Sequence, residues 1–173
     1  RAGLITLKSQ QSSIEAAGLA DWVAMPWPAG GSAAIVLKDP ADEAARRRTR
    51  EVLDGLAADP ANGIAGILDR AAIARLGGTP RAEFWVDLKP GFSVSMLVSG
   101  LTVVGAGRGG THGYVPTHPE MNSTFLFSGP GVGAGNIGTI DLRSIAPTLA
   151  NWLRVPLPSA ELPALDILDR AGK

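Results

Sequence analysis

Ala33-Ala34-Ile35-Val36-Leu37 is an unbroken apolar run, and its length and flanks read as a short buried strand. The period changes immediately after it. Asp39 precedes Pro40, a favourable first helical residue, and Asp42 and Glu43 fall where the positive end of a helix dipole favours acids. A helix is expected over about 41–58, with Ala45, Thr49, Val52, Leu53 and Leu56 recurring at helical spacing. Arg46, Arg47, Arg48 and Arg50 crowd the rest of its surface. They read first as a solvated face, and as the lesser option as a phosphate or polyanion patch.

Working outward, Ser12-Ser13 before Ile14-Glu15-Ala16-Ala17 suggests a capped short helix, and Met25-Pro26-Trp27-Pro28-Ala29-Gly30-Gly31 a loop that ends it. Downstream, Gly63 to Leu68 is a candidate strand, followed by a helical stretch through Ala71, Ile73 and Leu76 that stops at Gly77-Gly78. Phe84, Val86 and Leu88 alternate with Glu83, Trp85 and Asp87, the period of a strand. Pro90-Gly91 then turns the chain toward Phe92 to Ser95, which predicts an antiparallel hairpin. Leu101 to Val104 and Thr124 to Phe127 are further apolar strand candidates. Ser144 is placed to cap a last helix with a stripe of Ile145, Leu149, Trp152 and Leu153, where Pro147 falls in the tolerant first turn. Pro156 to Pro163 reads as a surface strap. Strands and helices are interspersed without an internal repeat, so the class is α/β or α+β in one structural unit.

Composition limits the possible functions. With 173 residues, 45% of them hydrophobic, the chain can bury one sizeable core. Sixteen basic residues balance sixteen acidic ones, so bulk charge draws it neither to nucleic acid nor to anionic lipid. Without cysteine there is no disulfide, thiolate metal site or cysteine nucleophile, and any metal must use His, Asp or Glu. No run approaches the roughly 20 apolar residues of a membrane span, and none has the build of a signal peptide. The chain starts Arg1-Ala2-Gly3-Leu4 without an initiator Met, so a missing upstream piece is expected.

Two glycine-rich segments invite a nucleotide reading. Gly105-Ala106-Gly107-Arg108-Gly109-Gly110 has the G-x-G-x-x-G spacing. The continuation Thr111 to Pro116 holds a Gly and a Pro and no helical stripe, so no helix start would hold a pyrophosphate. Gly129 to Gly135 lacks the Lys-Ser/Thr ending of a P-loop and reads as a surface connection. The only histidines, His112 and His118, lie in a segment where Gly and Pro forbid a helix. A His in a Gly-rich loop after a strand is either a site residue or a turn-stabilising one, and chemistry alone leaves both open.

The order of residues adds more. Gly110-Thr111-His112-Gly113-Tyr114-Val115-Pro116, then Pro119-Glu120-Met121, then Thr124-Phe125-Leu126-Phe127-Ser128-Gly129-Pro130-Gly131-Val132 resembles the G-x-H-G-Y-D-P, P-x-M and F-x-x-x-G-P-G-[IV] series of type I phosphodiesterases and nucleotide pyrophosphatases, in the alkaline phosphatase superfamily. Asp141 to Ala150 and Val155-Pro156-Leu157-Pro158 look like the helix and closing motif of the same superfamily. Lys89-Pro90-Gly91-Phe92-Ser93 is a looser match to a preceding strand pair.

The resemblance implies the C-terminal portion of an alkaline-phosphatase-like α/β sandwich, a mixed sheet flanked by helices. Residues 1–100 would supply cap-like and sheet segments, and 101–173 the metal-ligand loop, a strand and the C-terminal helix. It also implies that His112 binds one of two catalytic zinc ions as neutral imidazole, with an Asp and a His from a missing N-terminal part completing the shell. The Thr or Ser nucleophile and the other ligands would lie in that part too, so this fragment alone should be inactive. The implied substrate is a phosphate diester or nucleotide, with a phosphomonoesterase of the same superfamily as alternative and a non-catalytic α/β binding module as the other class. A periplasmic or extracellular location is implied by family analogy alone. Val115 stands where many relatives carry Asp, which puts the geometry around the ligand His in question. His118 has no clear counterpart and reads as a loop residue rather than an extra ligand.

Overall fold

The computed structural model describes residues 2–11, 13–97, 103–105 and 109–167. By its contacts the chain divides into two units, Arg1–Asn122 and Ser123–Lys173.

In the first unit the apolar run becomes β4 (Ser32–Leu37), and all six of its residues are buried. The reason is its position. The sheet order is β3-β4-β6-β5, with β3 at Ala24–Pro28, β5 at Ile64–Asp69 and β6 at Phe84–Leu88, so β4 and β6 are both interior. Every neighbouring pair is antiparallel, where a mixed sheet was expected. Since β4 and β5 each oppose β6, they run parallel to one another, and the segment between them is a crossover with β6 inserted. Helix α2 (Glu43–Ala57) belongs to that crossover, and α3 (Arg70–Arg75) links β5 toward β6. A separate two-stranded sheet pairs β1 (Ile5–Leu7) with β2 (Leu19–Trp22) around the short helix α1 (Ile14–Ala17), which Ser13 caps as the sequence suggested.

Both faces of the sheet are packed. On one, Phe84, Val86 and Leu88 join Ile35, Leu37 and the α2 residues Ala45 and Leu53. On the other, Ala34, Ile73 and Ala82 are buried with Trp27, Leu68 and Trp85 against them. The alternation in β6 therefore separates two packed faces rather than core from solvent. Burial of each large aliphatic side chain here contributes about 1.5–3 kcal/mol. The buried stripe of α2 narrows to Ala45, Thr49 and Leu53, with Leu56 36% exposed. The helix starts one turn later than Asp39-Pro40 suggests, because Asp42 accepts the Ala45 amide at 2.9 Å while Asp39 closes a preceding turn. Its arginines are largely engaged: Arg46 with Glu43, Glu83 and the Pro40 carbonyl, Arg50 with Asp54, and Arg48 with the Ala2 carbonyl.

Two expectations for this unit are corrected. Met25 to Pro28 is a strand, not a loop. It is the edge strand, and the Ala24 amide points away from β4 to the Leu4 carbonyl. Pro26 and Pro28 share that outward orientation, so neither removes a ladder hydrogen bond. The turn at Pro90-Gly91 forms, but Phe92 to Ser95 builds no hairpin; Val94 donates instead to the Gly30 carbonyl at 2.8 Å. Leu101 and Thr102 lie outside the described residues, and Val103 and Val104 are not in a strand.

In the second unit, Thr124 to Phe127 is not paired as a strand. Phe125 and Phe127 stack at 6.1 Å, and Phe127 meets Trp152 edge-on at 5.4 Å. Between them Leu126 is 87% exposed. A 3-10 turn, Leu142–Ser144, leads into α4 (Ile145–Trp152), and the capping side chain is Asp141 rather than Ser144. Arg143 beside Asp141 holds that carboxyl down at about 2. The buried face of α4 is Pro147, Thr148 and Ala150, not the expected leucine stripe. Thr148 fixes it, donating to the Ser144 carbonyl at 2.6 Å and accepting the Leu165 amide at 2.8 Å. Gly129 packs against the Trp152 ring, whose Nε1 donates to the Pro130 carbonyl.

Among the described residues no helix is long and apolar enough to cross a membrane.

Candidate functional site

The turn between β3 and β4 contains two adjacent glycines, and it forms a seat for the loop 111–118. Gly31 donates to the His112 carbonyl at 2.6 Å. Gly30 has φ +94, and a Cβ there would overlap the same carbonyl. A Cβ on Gly31 would enter the Tyr114 ring. The loop's own Gly113 has φ +79, and a Cβ there would overlap the Ala29 carbonyl oxygen. Three glycines thus leave room for the loop on the turn, and two of them, Gly30 and Gly113, adopt conformations that other residues reach at a cost. Ser32, which is fully buried, donates its hydroxyl to the Gly113 carbonyl.

The rest of the loop is held by side chains. Tyr114 donates to the Phe92 carbonyl at 2.8 Å and accepts the Gly91 amide at 3.2 Å, so the turn after β6 and the loop brace one another. Val115 is buried, and its amide donates to Asp87 Oδ1 at 3.1 Å. The other oxygen of Asp87 meets His118 Nε2 at 2.6 Å. Asp87 is 5% exposed at the end of β6, so its charge is compensated by these two contacts within the protein. A proton on Nε2 lets His118 donate to this carboxylate. The Tyr114 and His118 rings lie 5.6 Å apart. A short 3-10 turn, Pro119–Met121, then carries the chain away.

His112 differs from everything around it. Its carbonyl is fixed by Gly31, whereas its side chain is exposed and makes no hydrogen bond or ion pair among the described residues. The loop therefore locks a backbone and displays an imidazole. That is a geometry in which a ligand group can be offered at a defined place with little loss of freedom on binding. A protein-bound zinc takes three or four protein donors. Among the described residues no group of three or more His, Asp or Glu side chains is assembled that could hold an ion. His112 supplies one donor, and the described residues do not by themselves fit a complete zinc site.

His118, read from the sequence as an ordinary loop residue, is the ring that anchors the loop. Its partner Asp87 was read only as one of the alternating residues of β6, and nothing in the spacing linked the two. Gly30 and Gly31 were read as punctuation; their role becomes visible only with the loop seated on them.

Compared with known proteins, the chain matches no protein-family model, no curated protein and no solved structure.

Proposed function

We propose that this chain is part of a zinc-dependent phosphodiesterase or nucleotide pyrophosphatase of the alkaline phosphatase superfamily, with His112 as one ligand of a metal that other segments complete. The observation that carries the reading is the contrast within one residue: a His112 backbone fixed by the Gly30-Gly31 seat and an imidazole that is exposed and unpaired among the described residues. The colinear series from Gly110 to Pro158 supports the same family. Thr124 to Phe127 supports it too, because an apolar segment without sheet partners among the described residues suits a strand whose neighbours come from elsewhere. The nucleophile and remaining ligands belong to residues beyond those present, and a periplasmic or extracellular site of action goes with the family.

The test uses protein expressed with whatever its gene encodes before Arg1. Hydrolysis of a p-nitrophenyl phosphodiester and a phosphomonoester is compared for wild type and His112→Ala. A diesterase that falls at least about 100-fold in the variant supports the proposal. Preference for the monoester moves the activity to a phosphomonoesterase, and protein that cleaves neither ester identifies a non-catalytic module.

A further inference from the structure

Asn122-Ser123-Thr124 has the acceptor pattern for N-linked glycosylation, an asparagine followed two positions later by Ser or Thr with no proline between them. The chain's other asparagines, Asn62, Asn136 and Asn151, lack it. Glu120 adds the acidic residue two positions before the asparagine that the stricter, bacterial form of the pattern demands. A pattern this short also arises by chance, so its surroundings decide. Glu120, Asn122, Ser123 and Thr124 are all exposed. Asn122 leaves the 3-10 turn Pro119–Met121 with φ −65 and ψ 129, an extended conformation, and residues 122–124 belong to no helix or strand. Its backbone amide donates to the Pro119 carbonyl at 3.1 Å, whereas its carboxamide makes no hydrogen bond among the described residues. An asparagine that shapes a turn ordinarily folds that group onto nearby backbone. Here the fold makes no use of it.

We infer that Asn122 is an acceptor for an N-linked oligosaccharide, delivered by an oligosaccharide transferase from a lipid-linked oligosaccharide diphosphate. The Asn122 carboxamide nitrogen attacks the anomeric carbon of the first sugar. A carbon–nitrogen bond forms there as the bond from that carbon to the diphosphate oxygen breaks; the lipid diphosphate leaves with the electron pair, and the nitrogen gives up one proton. A transferase must hold the acceptor amide and the Thr124 hydroxyl together, which an exposed segment outside the sheets and helices allows. The inference rests on the exported location that goes with the proposed function, since the donor and the transferase face that compartment.

The test imposes that location. Protein carrying whatever its gene encodes before Arg1 is exported behind a cleavable signal in a bacterial host supplied with a lipid-linked oligosaccharide pathway and its transferase, and occupancy of Asn122 is read by peptide mass spectrometry. Wild type and Thr124→Ser should carry one oligosaccharide at Asn122, while Thr124→Ala and Asn122→Gln should lose it. All these positions are exposed, so the variants keep the fold. Removal of the signal marks successful export. Processed wild type with a bare Asn122, or occupancy that survives in Thr124→Ala, overturns the inference. Neither readout involves zinc or ester hydrolysis, so its failure is distinct from failure of the hydrolase proposal.

Discussion

His112 and His118 lie on one loop, six residues apart, yet their surroundings are opposite. The side chain of His118 is 17% exposed and bound to the buried carboxylate of Asp87, whereas that of His112 is exposed and unpaired among the described residues. One end of the loop is devoted to attachment and the other to display. The difference arises from what lies beneath each end. Glycines of the β3–β4 turn lie against the His112 carbonyl and the Tyr114 ring, while β6 presents a carboxylate to His118. Residue type alone does not distinguish an anchor from a displayed ligand. The sheet does.

Substitutions along the loop should separate attachment from display. The largest effect is expected for Gly113→Ala, which combines a left-handed φ with overlap on the Ala29 carbonyl; the loop must leave its seat, at about 3–4 kcal/mol in urea unfolding. His118→Ala leaves Asp87 buried with the Val115 amide as its remaining partner and should cost about 2–4 kcal/mol. If the pair acts as one unit, the double variant His118→Ala with Asp87→Ala should cost much less than the sum of the two single changes, and strict additivity would break the anchor assignment. Tyr114→Phe removes two hydrogen bonds to the turn after β6 and should cost about 1 kcal/mol. His112→Ala should lie within about 0.5 kcal/mol of wild type, because nothing among the described residues depends on its side chain.

Much of the first unit was legible. A fully apolar run gave β4, an acid at the helix start gave α2, and period-two alternation gave β6, since each signal is local and physical. Pro26 and Pro28 hid β3, because a proline is compatible with a strand only at an edge and the edge is a property of the sheet. The partnership of Asp87 with His118 spans 31 residues and leaves no local pattern. The segment Thr124 to Phe127 has the apolar run of a strand and even alternating burial, but among the described residues it finds no neighbour to pair with. For α4, helical spacing was right and the face was wrong: the hydrogen bonds of Thr148 set the buried side, leaving Leu149 and Leu153 exposed. Of the candidate site, the order of residues singled out His112 as an expectation, while the glycine seat that fixes its backbone was not legible.

The most direct test of display at His112 measures zinc content, and the melting temperature of the metal-free protein, on wild type and His112→Ala expressed with whatever the gene encodes before Arg1. Loss of zinc at an unchanged melting temperature, with His118→Ala showing a lowered melting temperature, is the result predicted. Full zinc content in His112→Ala, or a melting temperature that falls as far as that of His118→Ala, would contradict it.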